Sequence, residues 1–217
     1  MGRGHPASER AGHRAHPITL PGMESRDADR SGVTREDCVE AVVAAIDAVD
    51  GPVVVVGHSA GAGLAYAAVD ARPERVVRAI YVGGFPDADG SASELPSENG
   101  EIPLFDWSDF DTADLKDLDE AALASFRERA IPSPAPVAND PQRLSDERRY
   151  EVPVTMVCPE FSSEMLRKWI DDDLEAVREF QRIHDVDYVD LPTGHWPQFT
   201  KPEELARVIL EAVGSER

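Results

Sequence analysis

Val53-Val54-Val55-Val56-Gly57-His58-Ser59-Ala60-Gly61 decides the reading of this chain. Four consecutive branched apolar residues form the kind of run expected of a strand buried on both faces, and G-x-S-x-G follows directly. A serine delivered by a strand and led away by a helix stands on a sharp, strained turn, so its neighbours must be small. Gly57, Ala60, Gly61, Ala62 and Gly63 meet that demand. The five-residue pattern alone is weak; the apolar run before it and the small residues after it give it weight. Ser59 is the candidate nucleophile.

Working outward, Thr34 to Val49 carries Val39, Val42, Val43, Ile46 and Val49 at helical spacing and stops at Asp50-Gly51-Pro52. A helix is expected over Ala60 to Ala71, and Val76 to Val82 reads as the next strand. Upstream, residues 16–20 read as a short strand ending at the turn pair Pro21-Gly22. Alternating buried strands and helices predict an α/β fold with a mostly parallel sheet flanked by helices. The alternation breaks between Phe85 and Tyr150, in an acidic segment rich in Pro and Ser, with one helix expected around Asp119 to Ala130. It resumes with a strand over Val152 to Cys158, a helix over residues 163–182 and a strand over Val186 to Leu191. Thr200-Lys201-Pro202-Glu203 has the form of a capping box opening the last helix. The expectation is a single domain over residues 1–217, with a cap inserted at about 86–150.

A chain of 217 residues, 41% apolar and 29% charged, suits one globular domain. The formal charge of −20 repels nucleic acid and anionic lipid, so neither is expected as a partner. Cys38 and Cys158 lack metal-ligand spacing and fit buried thiols in a reducing compartment. No stretch has the composition of a secretory signal or a membrane span. The expectation is a cytoplasmic protein with no metal and no cofactor.

A serine hydroxyl needs a base. Among six histidines, His195 stands in Pro192-Thr193-Gly194-His195-Trp196-Pro197, past the last predicted strand and hence at the same carboxyl edge of the sheet as Ser59. His58 has a structural role, since its side chain should point away from that of the serine. His5, His13 and His16 show no metal-like spacing.

On Leu20-Pro21-Gly22, Gly57-His58-Ser59-Ala60-Gly61 and Gly194-His195, the chain resembles the α/β-hydrolase family. The likeness is nearest to the small-ester hydrolase branch that also holds plant methyl-ester esterases and hydroxynitrile lyases. The resemblance implies the chain order Ser, acid, His, with the acid after the strand that follows the cap. That loop reads Val157-Cys158-Pro159-Glu160-Phe161, making Glu160 the candidate acid although relatives often carry Asp where Phe161 stands. Other members draw the acid from the end of the preceding strand, where this chain has Gly83; Asp87 and Asp89, further on, stay open as alternatives. One oxyanion donor is implied at the N–H of Ala60.

The resemblance also implies a His-Gly loop, the second oxyanion donor, after an earlier strand. Residues upstream of His16 hold no apolar strand; Gly4-His5 is a poor substitute, and the stretch resembles the tail of the helix after that loop. The chain is therefore expected to be N-terminally shortened relative to the family pattern, either because the natural protein is longer or as a genuine short form. In a short form the sheet would be repaired by direct pairing of residues 16–20 with residues 53–56, or by a second chain in a homodimer. The cap contributes Leu104, Phe105, Trp107 and Phe110, which suit an apolar pocket or simple anchoring of the insertion. Phe85, Trp107, Phe161 and Trp196 are candidate substrate contacts, with core packing an equal alternative for Phe85, Phe161 and Trp196.

The reading implied is a serine hydrolase acting on a small carboxylic ester or lactone through an acyl-enzyme. Its alternative is a vestigial, non-catalytic binding protein of the same fold. A hydroxynitrile lyase ranks lower, because such lyases carry a lysine where this chain has Trp196.

Overall fold

The computed structural model describes residues 12–214; Met1 to Ala11, with Gly4-His5 and the expected helix tail, lie outside the described residues, as do residues 215–217. In chain order the elements are α1 (Arg35–Asp47), β1 (Val53–His58), α2 (Gly61–Ala71), β2 (Val76–Val82), β3 (Glu101–Ile102), α3 (Glu120–Arg129), β4 (Ser133–Pro134), α4 (Ala135–Asn139), β5 (Val154–Cys158), α5 (Ser163–Asp171), β6 (Val186–Asp190), α6 (Pro197–Thr200) and α7 (Pro202–Gly214). The main sheet has the order β1-β2-β5-β6, with every pair parallel. The excursion between β2 and β5 carries α3, α4 and the small antiparallel ribbon of β3 and β4.

Parallel strands must be covered on both faces, and the side chains alternate accordingly. Ala79 and Tyr81 of β2 join Val154 and Met156 of β5 in one apolar layer, against α1, α2 and α5. Ile80 and Val82 point the other way, to Val157 and to Val208 and Ala212 of α7. Helix α1 starts with a reciprocal capping box: the Asp37 N–H donates to Thr34 Oγ1 and the Thr34 N–H to Asp37 Oδ2. Helix α2 is almost entirely buried, which its run of alanines and glycines permits.

A buried polar cluster ties α2 to the segment leading out of the cap. Arg149 pairs with Asp70 at 3.1 Å and Glu179 at 3.2 Å, while Tyr66 and Tyr150 hydroxyls donate to Glu179 Oε1 at 2.8 and 2.9 Å. Burial drives the carboxyl of Glu179 toward neutrality, but the hydrogen bonds from Tyr66, Tyr150 and Arg149 outweigh it and hold the group below its ordinary range.

Four expectations need correction. Residues 16–20 form no strand: Ile18 is 42% exposed, and that segment has no ladder partner. A strand needs a neighbour to accept its backbone groups, and among the described residues the sheet ends at β1 without meeting this segment, leaving Val56 46% exposed. The helix over residues 163–182 breaks after Asp171, with Asp173 at φ 52°. There the N–H of Asp173 bonds the carbonyl of Ile170 and that of Leu174 the carbonyl of Trp169, a Schellman stop; only short 3-10 turns follow. The strand expected from Val152 begins at Val154, because the Val152 N–H still closes the preceding turn onto Arg149. The capping box at Thr200 is not made: its hydroxyl bonds Thr193 Oγ1 at 2.6 Å, and the Lys201 carbonyl accepts the first bond of α7 from Leu205.

Among the described residues, no helix is long and apolar enough to cross a membrane. Cys38 and Cys158 are both buried and unpaired by any disulfide, and burial pushes their thiols up to about 11 and about 12.

Candidate active site

Ser59 follows the last residue of β1 and has φ 52°, in the left-handed region that costs a non-glycine residue about 1–3 kcal/mol. Surrounding contacts hold it there. Its N–H donates to Val82 O at 3.0 Å and its carbonyl accepts from Ala62 at 2.9 Å, so β2 and α2 both fix the turn. The elbow also requires bare backbone beside it. A β-carbon on Gly57 would lie 2.6 Å from the Gly61 carbonyl, and one on Gly84 would lie 2.3 Å from the Ser59 carbonyl. Ala60, exposed, stands immediately before α2, where the first helical N–H groups have no intrahelical partner.

His195 arrives on the loop after β6. Its Nε2 lies 2.7 Å from Ser59 Oγ, and its Nδ1 lies 2.8 Å from Glu160 Oε1. Glu160 comes from the loop after β5, so β1, β5 and β6 supply the three groups at the carboxyl edge of the sheet, with β2 lying between the first two. The ring and the carboxylate are mostly covered, at 17% and 14% side-chain exposure. In the neutral imidazole, Nδ1–H donates to Glu160 and Nε2 accepts the serine proton, the arrangement a general base needs. Glu160 Oε2 is buried with no hydrogen-bond partner among the described residues.

The histidine loop is pinned along its length. The Thr193 N–H donates to Pro159 O at 3.2 Å, and its hydroxyl bonds Asp117 Oδ2 at 3.0 Å. The His195 N–H donates to the Asp114 carbonyl at 2.8 Å, and Lys201 Nζ to the Pro192 carbonyl at 2.8 Å. Gly194 must be a glycine, because its missing β-carbon would lie 2.4 Å from the carbonyls of both Asp114 and Lys116. The cap thus rests directly on this loop. Burial lifts the Asp114 carboxyl above the ordinary range, aided by the charges of Glu160 and Asp111 and opposed by the Asp111 N–H and by His195.

The alternative acids are held elsewhere. Asp87 pairs with Arg35 at 3.1 Å, and Asp89 accepts the Leu144 N–H at 2.8 Å. Phe85 and Phe161 pack on each other at 5.5 Å and on Trp169, in the apolar layer beneath the sheet edge. Trp196 lies edge-on to His195 at 5.0 Å and is caged by Trp107, Phe110 and Phe126 of the cap. Of the four aromatic candidates, Trp196 therefore belongs to the histidine loop and is covered by the cap, Trp107 packs on it from the cap, and Phe85 and Phe161 pack in the apolar layer.

Asp114, Glu160 and His195 bring ligand-type atoms within 4.8 Å of one another, the one such cation-capable set among the described residues. Both ring nitrogens of His195 are already engaged by Ser59 and Glu160, which leaves the imidazole no free lone pair for a cation. Sequence reasoning missed Asp114 and the contact made by His58. Both act on His195 through its backbone, and no spacing rule reports such contacts.

The family model described as the alpha/beta hydrolase family matches residues 6–208. No curated protein sequence matches the chain. An extracellular alpha/beta-hydrolase from a Paenibacillus species, described as sharing structural and functional homology with tobacco salicylic acid binding protein 2, superposes with a TM-score of 0.73 at 18% identity, covering 95% of this chain and 90% of that one. A pyrethroid hydrolase from Sphingobium faniae gives 0.68 at 19% identity, with 97% and 90% covered. A methylesterase from Arabidopsis gives 0.66 at 17% identity, with 95% and 89% covered. At these identities the likeness is one of fold.

Proposed function

The chain belongs to the alpha/beta hydrolase family, and from that premise we propose that it is a serine hydrolase of small carboxylic esters or lactones. Ser59 Oγ attacks the substrate carbonyl while His195 Nε2 takes its proton. Glu160 holds the imidazole in the required tautomer and offsets its charge once protonated. The Ala60 N–H, at the start of α2, donates to the oxyanion. Collapse of the tetrahedral species expels the alcohol, which receives the proton from His195 and leaves an acyl group on Ser59. Water, deprotonated by the same histidine, then releases the acid.

The observation that carries this reading is the unbroken chain Ser59 Oγ to His195 Nε2 at 2.7 Å and His195 Nδ1 to Glu160 Oε1 at 2.8 Å. Trp107 of the cap packs on Trp196 beside His195, aromatic surroundings that favour an apolar or aromatic substituent. The test is turnover of short-chain p-nitrophenyl esters by the full chain, with Ser59→Ala as control. Turnover that disappears in Ser59→Ala supports the proposal; equal rates in both rule it out.

The second reading is a binding protein of hydrolase fold. Saturable binding of an ester with no turnover at all would select this reading.

A further inference from the structure

His195 makes two backbone hydrogen bonds besides its two ring contacts. Its N–H is taken by the Asp114 carbonyl of the cap, and its own carbonyl accepts from His58 Nε2 at 2.6 Å. His58 is the last residue of β1 and is covalently next to Ser59. The strand that presents the nucleophile thus also holds the residue that would activate it.

We propose that His58 is a positioning residue: it clamps the carbonyl of the catalytic histidine to the nucleophile strand, so that the sheet rather than the loop sets the Ser59–His195 distance. The inference rests on the serine-hydrolase reading above.

The chemistry of the clamp is specific. A carbonyl needs a donor, so Nε2 of His58 must carry the proton, and in the neutral ring Nδ1 is then an acceptor. Gln198 Nε2 faces that Nδ1 at 3.4 Å, from the first turn after the histidine loop. His58 is therefore held between two residues of one segment, His195 and Gln198. Its burial disfavours the charged ring; the His195 carbonyl and the charge of Glu160 work in the opposite direction, and the charge of His195 adds to the burial effect. Neutrality matters, because the two imidazole centroids are only 5.0 Å apart. A charge on His58 would oppose the imidazolium that His195 must become during acylation. A neutral donor at this position holds the loop without that penalty.

The clamp also separates this residue from ordinary packing. An apolar ring of similar size would fill the space but give the His195 carbonyl no proton. A glutamine would give one, since its Nε2 can reach the place of the imidazole Nε2.

The test compares wild type, His58→Phe, His58→Ala and His58→Gln, each checked for a folded thermal transition, in ester turnover and in the rate of Ser59 labelling by a fluorophosphonate. The expected result is a kcat about 10- to 100-fold lower in the folded member or members of Phe and Ala, with KM within about twofold, as expected for a misplaced base. Labelling should slow in parallel, and His58→Gln should recover most of both rates. A wild-type kcat in His58→Phe or His58→Ala, or a His58→Gln as slow as they are, overturns the clamp while leaving the hydrolase reading intact. Wild-type protein inert to both ester and probe overturns both.

Discussion

Gly83 and Glu160 share the space behind His195. A β-carbon on Gly83 would lie 3.2 Å from Glu160 Oε2 and 3.4 Å from His195 Nδ1, so the carboxylate occupies the room that a side chain at 83 would need. Gly83 has φ 56°, a conformation that glycine adopts freely. The resemblance places the triad acid of some family members at this strand end. Here the strand end is bare, and the longer arm of a glutamate from the next strand fills the gap.

Gly83→Ala should therefore hurt twice. The left-handed backbone costs an alanine about 1–2 kcal/mol, and the new methyl crowds Glu160. Urea unfolding should show a loss of that order, with kcat reduced by displacement of the carboxylate. Unchanged stability and unchanged kcat together would contradict this account of the acid position.

Glu160→Gln keeps the shape of the side chain but removes the charge that favours the Nδ1–H tautomer of His195. By analogy with asparagine at the acid position of a serine-histidine-aspartate triad, kcat should fall about 10⁴-fold with the thermal transition little changed. Ester turnover against protein concentration checks this. Asp87→Asn and Asp89→Asn, which alter groups engaged with Arg35 and Leu144, should leave the chemical step within about threefold of wild type, a spread allowed for indirect effects.

Asp114 carries the cap's influence on the site. Its carboxyl is lifted by burial and lies among Glu160, His195 and Asp111. Asp114→Asn keeps an acceptor for the Asp111 N–H, now at 3.1 Å from Asp114 Oδ2, but removes a negative charge near the imidazole. The imidazolium that His195 must become during acylation then loses a favourable neighbour, so kcat at neutral pH should fall by up to about 10-fold. A wild-type kcat would show that the cap carboxylate does not act on the base.

The Arg149 cluster gives the fold an acid-sensitive joint. The folded-state pKa of Glu179 is depressed, so its contribution is present above the unfolded value of about 4.3 and is lost as pH falls through the lower folded value. Urea midpoints measured from pH 6 down to pH 3 should fall less steeply in Glu179→Gln than in wild type. Arg149→Met strands the carboxylates of Asp70 and Glu179 and should cost about 3–5 kcal/mol at neutral pH.

Much of this architecture was legible in local pattern. Val76 to Val82 reads as a strand with the bounds it has in the structure, because a buried parallel strand needs a near-continuous apolar run, broken here only by Arg78, which bonds Thr155 and Asp187. Ser59 and His195 could be placed at one sheet edge because each follows a readable strand, and Glu160 because it is the only acid in its loop. What failed depended on partners or on single backbone states. Residues 16–20 have strand composition, but strand formation needs a neighbour. The stop at Asp173 lies in a left-handed aspartate that no periodicity marks. The grip of Asp114 and His58 on His195 passes through main-chain groups of segments far apart in sequence, where side-chain identity carries little signal.

The central claim is that Ser59 is a nucleophile activated by His195. Its most direct measurement is intact-mass spectrometry after exposure to a fluorophosphonate. The account predicts one adduct, localised to Ser59, absent from Ser59→Ala and strongly slowed in His195→Ala. A folded protein that forms no adduct, or an adduct that persists in Ser59→Ala, would contradict it.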